Sequence, residues 1–320
     1  MKIETKLATI PPTYKQLLEE IGKQLSQRKS ALLKRVLLIT WPFLLLVVTV
    51  FVLGKTNSFD GFSYEQMVPW LLPLIIYISL ALVYSAVVRF IFDIEKRIWI
   101  DSFFDQKNLA LSDSWKVAKK IFWEAFVFRL KIFVHYYLAP IVAFILLGAI
   151  VMYASTIFFK TIDGRADMVI ASLISFAVLL IGFIVYSYYI RTKLRYAWFI
   201  FLDRFGPNYS FGSVIEEMHN LNQISKSDTF KKSLVLNIGT DSVNGLAQSA
   251  IGIISHGMSN LGEVGNVLGG VLTVYGNEAS RQVTDFGNIS ANYILYRFVR
   301  KEAYGNEQDV NEYLYNELSK

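Results

Sequence analysis

The chain has 320 residues, 53% of them hydrophobic, 15% aromatic and 18% charged, with a formal net charge of +6 and no cysteine. The missing cysteines exclude disulfides, thiolate nucleophiles and Cys-based zinc or iron–sulfur sites. A mean hydropathy of +0.38 is higher than that of ordinary soluble domains.

In chain order, residues 1–35 form a polar, basic segment that includes Pro11 and Pro12. Apolar runs follow at 36–53 and 68–88, then at 132–159 and 168–190, and no Lys, Arg, Asp or Glu interrupts them. About 18 apolar residues suffice to cross a ~30 Å hydrocarbon layer as a helix, so the chain is expected to be integral to a membrane. No small-residue cleavage site follows the first run, which therefore reads as a retained span.

Between the two pairs, residues 112–131 predict an amphipathic helix. Trp115, Ala118, Phe122, Ala125 and Phe126 share one face, and Ser112 or Ser114 is placed to cap it. A second such helix is predicted over 213–222, after a Gly206-Pro207-Asn208 turn, with Ser213 and Glu216 at capping-box spacing. Helices of this kind lie at headgroup level, support the bundle, or offer a docking surface.

The last third is less apolar. Residues 233–256 predict a fifth span, and a sixth falls within 264–299, leaving a tail at 300–320. The expected fold is all-α and integral to the membrane, with about six spans inside 36–299. With both termini cytoplasmic, 28 of the 32 Lys and Arg residues lie inside and Arg281 lies outside. The net charge then reads as a topology signal, and no basic stripe suggests nucleic acid.

A repeat at an offset of 102 residues matches Tyr84, Ser85, Arg89, Asp101 and Phe103 with Tyr186, Ser187, Arg191, Asp203 and Phe205. Each unit would be a helical hairpin followed by a cytoplasmic stretch. The units share one orientation, unlike the inverted repeats of many transporters.

The fifth span carries the candidate site. Asn237, Asp241, Asn244 and Gln248 fall at i, i+4, i+7 and i+11 on one helical face. An ionised Asp241 at mid-membrane depth would cost roughly 3 kcal/mol on insertion scales. It is expected to face a cavity or to pair, with Arg281 as the candidate partner. The stripe reads either as a polar path or as a helix–helix contact. Gly262, Gly265, Gly269 and Gly270 crowd the region after it, and Gly265 and Gly269 form a GxxxG. They suggest a tightly packed hairpin, a re-entrant turn or a face for another subunit. No strand–turn–helix context supports a dinucleotide fingerprint there.

Catalytic, cofactor and metal motifs are not evident. His135, His219 and His256 lie far apart in the chain, and His135 reads as an interfacial residue beside Tyr136 and Tyr137. Tyr and Trp residues near the span ends, such as Trp41, Trp70 and Tyr186, read as interfacial anchors.

Three stretches carry a resemblance. They are Trp41-Pro42-Phe43-Leu44-Leu45, then Leu194-Arg195-Tyr196-Ala197-Trp198-Phe199-Ile200-Phe201-Leu202-Asp203, then Ser213-Val214-Ile215-Glu216-Glu217. The chain resembles a broad set of six-span bacterial membrane proteins, similar to the membrane domain attached to some glycerophosphoryl diester phosphodiesterases. It departs from them in having no phosphodiesterase domain and none of that enzyme's His-Arg or Glu-x-Asp motifs, so the activity is not implied. The resemblance implies an all-helical bundle in a bacterial inner membrane.

The sequence thus points to a non-catalytic scaffold or accessory subunit, in contact with lipid and with a membrane-protein partner or a second copy. The alternative is a permease-like or lipid-handling protein with Asn237, Asp241, Asn244 and Gln248 lining its path.

Overall fold

A computed structural model describes residues 12–55, 64–104, 111–160, 165–206, 209–225 and 227–304. Among the described residues there is no strand. The helices are α1 (Tyr14–Lys55), α2 (Tyr64–Phe104), α3 (Leu111–Lys120), α4 (Phe122–Phe133), α5 (Ala139–Lys160), α6 (Arg165–Lys193), α7 (Ala197–Asp203), α8 (Phe211–Ile224), α9 (Ser227–Ser259), α10 (Glu263–Val271) and α11 (Asn277–Tyr304). Single π turns, Val134–Leu138 and Leu272–Gly276, join α4 to α5 and α10 to α11.

Four helical segments are long and apolar enough to cross a membrane: Tyr14–Val52, Leu71–Ser102, Phe122–Ala154 and Ser172–Asp203. This is a membrane protein. The exposed surfaces of these segments are Leu, Val and Ile, as at Leu45, Ile75, Leu80, Val83, Ile145 and Val178. Neither α9 nor the α10–α11 leg reaches that hydropathy, because Asn237, Asp241, Asn244 and Gln248 dilute the one and Glu278, Arg281 and Asp285 the other.

The chain divides into two compact units. The first combines the described residues of Met1–Lys120 and Val235–Lys320. Its α1 has 42 residues and its α2 has 41, which at 1.5 Å per residue makes each about 60 Å long, twice a hydrocarbon layer. The surplus has its own core. Leu17, Leu32, Val36, Phe92, Ile94, Ile98, Trp99, Phe286, Tyr296 and Val299 are buried there. Helix α11 runs antiparallel to α1 and alongside α2, burying apolar residues together with Glu278, Gln282, Asn288 and Asn292. Its apolar stripe, Phe286, Tyr293, Tyr296 and Val299, is confined to the C-terminal part of the helix, and the polar N-terminal part is held by its neighbours.

Pro42 lies inside α1, where it removes one main-chain donor. Helix α2 supplies hydroxyls to that stretch: Ser85 donates to the Ile39 carbonyl at 2.7 Å and Tyr77 to the Pro42 carbonyl at 2.6 Å. Trp41 donates through Nε1 to the Tyr84 hydroxyl at 3.0 Å.

The second unit is Ile121–Leu234. Its α5 and α6 pack as an antiparallel pair, and α7 packs against α8. An aromatic core joins α4 to α7, with Phe128 stacked on Phe201 at 4.6 Å and edge-on to Trp198 at 5.2 Å. Arg195 is buried where α6 gives way to α7. Its guanidinium stacks over Tyr196 at 4.3 Å and donates to Ser225 Oγ at 2.9 Å.

Several expectations change. The single amphipathic helix over 112–131 is two helices, broken at Ile121 (φ −90°, ψ 10°), and α4 runs on into the third span through a π turn. Ser114 is not a cap: it is buried and receives the Trp99 indole N–H at 2.7 Å. Ser213 is not the N-cap of the next helix. Ser210 is, accepting from the Ser213 amide at 3.1 Å, because its extended backbone places the hydroxyl over the first turn. Pro207 and Asn208 of the expected turn lie outside the described residues.

Candidate functional site

The α9 stripe faces inward. Asn237 is buried, Asp241, Asn244 and Gln248 are half-buried, and Val243, Leu246, Ile253 and Ile254 are exposed on other sides of the helix. Gln248 donates to Asn244 Oδ1 at 3.3 Å, and Ser280 of α11 donates to the same oxygen at 3.0 Å. An amide shared in this way ties two helices together. Arg281 pairs at 3.9 Å with Asp285, four residues further along α11.

The glycines build the α9–α10 hairpin. Gly262, at φ +85°, makes the turn and caps α10 in a conformation that side chains rarely adopt. A Cβ on Gly265 would run into the Met258 carbonyl oxygen, and one on Gly269 would stand 2.7 Å from the Ser255 carbonyl oxygen. The GxxxG therefore serves backbone-to-backbone packing within the chain. Gly270 turns the other way, where a Cβ would lie 3.0 Å from Val47 of α1. Across the hairpin, Ser255 donates to the Gly269 carbonyl at 2.7 Å and Thr273 donates to Ser255 Oγ at 2.7 Å.

The densest polar cluster was not anticipated from the sequence. It lines the seam between α2 and α11. Arg89 donates through Nε and Nη2 to the two carboxylate oxygens of Glu278, at 3.0 and 2.7 Å. Gln282 donates to Glu278 at 2.6 Å and accepts from Lys96 Nζ at 2.7 Å. Lys96, fully buried, also pairs with Asp93 at 2.7 Å and lies 3.9 Å from Asp285. Arg35 of α1 grips Glu95, which also accepts from Ser114 at 3.1 Å. The Trp115 ring covers Arg35 at 4.2 Å. Farther along, the Tyr293 hydroxyl donates to Asp101.

A signal for this seam exists in the sequence. Arg89, Asp93 and Lys96 fall at i, i+4 and i+7, and Glu278, Gln282 and Asp285 repeat that spacing, so the two stripes oppose one another on parallel helices. The seam also corrects the placement of Arg281. It sits three residues after Glu278, on the same side of the apolar segments as Arg89 and Lys96, because the apolar part of the return leg is finished by Tyr275.

In the second unit, His135 and His219 meet at Tyr136 despite their separation in sequence. The His135 ring lies edge-on to Tyr136 at 4.7 Å, and His219 Nε2 is 3.5 Å from its hydroxyl. Arg204 pairs with Glu217 across α7 and α8. Burial pushes the Tyr209 hydroxyl up to about 12. Among the described residues, no group of three or more His, Asp or Glu stands close enough to hold a metal ion. The seam can bind helices to one another: each charge in it faces an opposite charge or an amide.

Compared with known protein families, with curated proteins and with solved structures, the chain matches none of them.

Proposed function

We propose that the protein is a non-catalytic scaffold or accessory subunit of a bacterial inner membrane, with six spans and both termini cytoplasmic. One observation carries this reading. Four polar pairs of the first unit join one helix to another, Arg89–Glu278, Lys96–Gln282, Arg35–Glu95 and Ser280–Asn244. Such groups rigidify a frame, as a scaffold requires.

The six spans of this reading are α1, α2, α5, α6, α9 and one within 264–299 on the α10–α11 leg. Helix lengths favour the repeat: the second legs run from Tyr64 to Phe104, from Arg165 to Asp203 and from Glu263 to Tyr304. Short helices follow the first two, burying Ser114, Val117 and Ala118 in α3 and Val214, Glu217 and Met218 in α8, at an offset of 100, two residues shorter than the offset of 102 in the spans. The resemblance to phosphodiesterase membrane domains fits such a frame.

Contact with a partner is supported by α4, which buries Ala125, Phe128 and Ile132 but exposes Trp123 by 68% and Leu130 by 50%. Native mass spectrometry from nanodiscs tests the reading. A stoichiometric complex that is lost in Trp123→Glu/Leu130→Glu supports it. A lone monomer that carries solute across vesicles overturns it.

The inward-facing α9 stripe favours a second reading, a permease-like path. Under that reading Asp241→Asn alters flux in a transport assay while the fold is retained; unchanged flux removes it.

A further inference from the structure

Helix α5 has 22 residues, and its one charged residue is Lys160 at the far end. At 1.5 Å per residue it is about 33 Å long, close to the thickness of a hydrocarbon layer. The π turn Val134–Leu138 before it therefore lies at headgroup depth. Lys131 and His135 stand one helical turn apart on this stretch, and both are exposed. They flank a single ring. Lys131 Nζ is 5.9 Å from the centre of Phe211, the first residue of α8, and the His135 ring is edge-on to it at 6.3 Å. His135 is also edge-on to Tyr136, whose hydroxyl is 3.5 Å from His219 Nε2. Other cations of this unit are matched, Arg204 by Glu217 and Lys232 by Asp228. Among the described residues, neither Lys131 nor His135 forms an ion pair with a carboxylate. Beside them Val134, Leu138 and Val142 are exposed at i, i+4 and i+8, an apolar track that runs from the cations along the span.

We propose that Lys131 and His135, with Tyr136 and His219 beside them, bind the phosphate of an anionic phospholipid whose acyl chain lies along Val134, Leu138 and Val142. A phosphodiester carries a negative charge on oxygens that accept hydrogen bonds. The Lys131 ammonium meets the charge, and an imidazole N–H at the same depth donates to an oxygen. A free phosphate would use the same donors but would gain nothing from the apolar track. The cations and the exposed apolar residues are continuous on one helical stretch, and a lipid offers both chemistries in one molecule. A zwitterionic lipid is the weaker ligand, because its own cationic headgroup offsets the phosphate charge. The site needs only that the chain lies in a membrane, and it stands whether the protein is a scaffold or a permease.

Native mass spectrometry of the full chain, released from nanodiscs of equal parts phosphatidylglycerol and phosphatidylcholine, is the test. The parent retains phosphatidylglycerol in preference to phosphatidylcholine. Lys131→Gln/His135→Gln lowers that preference about fivefold, the weight of one cation near an anionic surface. Both side chains are exposed, so the variant keeps the helical content of the parent. Lys131→Arg, which keeps the charge, retains the lipid. So does Lys119→Gln, which removes an exposed cation from α3. An unchanged preference in the double variant overturns the site. An equal loss in Lys119→Gln also overturns it, since the attraction is then diffuse surface charge. Inorganic phosphate separates the two sources of the anion. Phosphatidylglycerol stays bound when inorganic phosphate is added at the same concentration. Its displacement there makes the ligand a free phosphate and overturns the lipid assignment.

Discussion

Glu95 is fully buried on α2, and both of its carboxylate oxygens receive the guanidinium of Arg35 on α1, at 3.0 Å from Nη2 and 2.9 Å from Nε. Ser114 of α3 adds a third hydrogen bond to the same carboxylate. Three helices that leave the apolar layer separately are thus joined at one side chain. Breaking a buried pair by removing one partner costs about 3–5 kcal/mol, because the remaining charge stays desolvated. Arg35 retains 21% exposure and can rehydrate, so Glu95→Gln is expected at the low end, about 3 kcal/mol. Chemical unfolding in detergent reads this directly. A loss under about 0.5 kcal/mol, the scale of an ordinary surface substitution, would remove the pair from the frame.

Two glycines of the hairpin are expected to respond in opposite directions. Gly265→Ala drives a methyl into the Met258 carbonyl oxygen, and such overpacking costs about 1–3 kcal/mol. Gly257→Ala meets nothing within 4 Å and exchanges a flexible helix residue for a better helix former, a gain of about 0.5–1 kcal/mol. Paired melting curves decide the matter, and equal shifts for the two variants would contradict the close approach of α9 and α10.

The contrast between those glycines marks where the sequence was legible. Apolar runs announced the membrane segments, since nothing but burial in lipid or protein accounts for 20 such residues together. That Asn237, Asp241, Asn244 and Gln248 share one face followed from helical spacing; in the structure Asn237 is buried and the other three are half-buried. Spacing cannot name the opposite wall, so Ser280 was not foreseen as the partner of Asn244, nor Glu278 as that of Arg89. Those contacts join residues 36 and 189 positions apart. Gly265 and Gly257 also look alike in a one-letter string; only the turn at Gly262 decides which of them faces a backbone.

Tyr209 supplies a pH dependence. Burial disfavours its charged form and raises the hydroxyl from its ordinary 10 to about 12. The folded state therefore holds this proton more tightly than the unfolded chain does. The stability it contributes is complete below pH 10 and is lost as the pH rises through about 12. Tyr209→Phe cannot ionise, so its alkaline unfolding curve should be flatter than that of the parent between these limits. Superimposable curves would show that the hydroxyl is hydrated in the folded state.

Lys96 offers the sharpest test of the α2–α11 seam. Its side chain is fully buried, with Nζ 2.7 Å from both Gln282 Oε1 and an Asp93 carboxylate oxygen. Lys96→Met keeps the length of the chain but leaves Gln282 buried without its donor and Asp93 without its cation. The expected loss is about 3 kcal/mol, from an unpaired buried polar group and an uncompensated carboxylate. Lys96→Arg should not rescue it, because a planar guanidinium needs room that a fully buried site does not have. Lys96→Met/Gln282→Leu should recover part of the loss, since replacing both partners by apolar groups removes the stranded amide. In a double-mutant cycle the two substitutions then give less than the sum of their separate effects. Strict additivity would mean that Lys96 is held by Asp93 within its own helix, and that α11 is fastened to α2 by Arg89 and Glu278 instead.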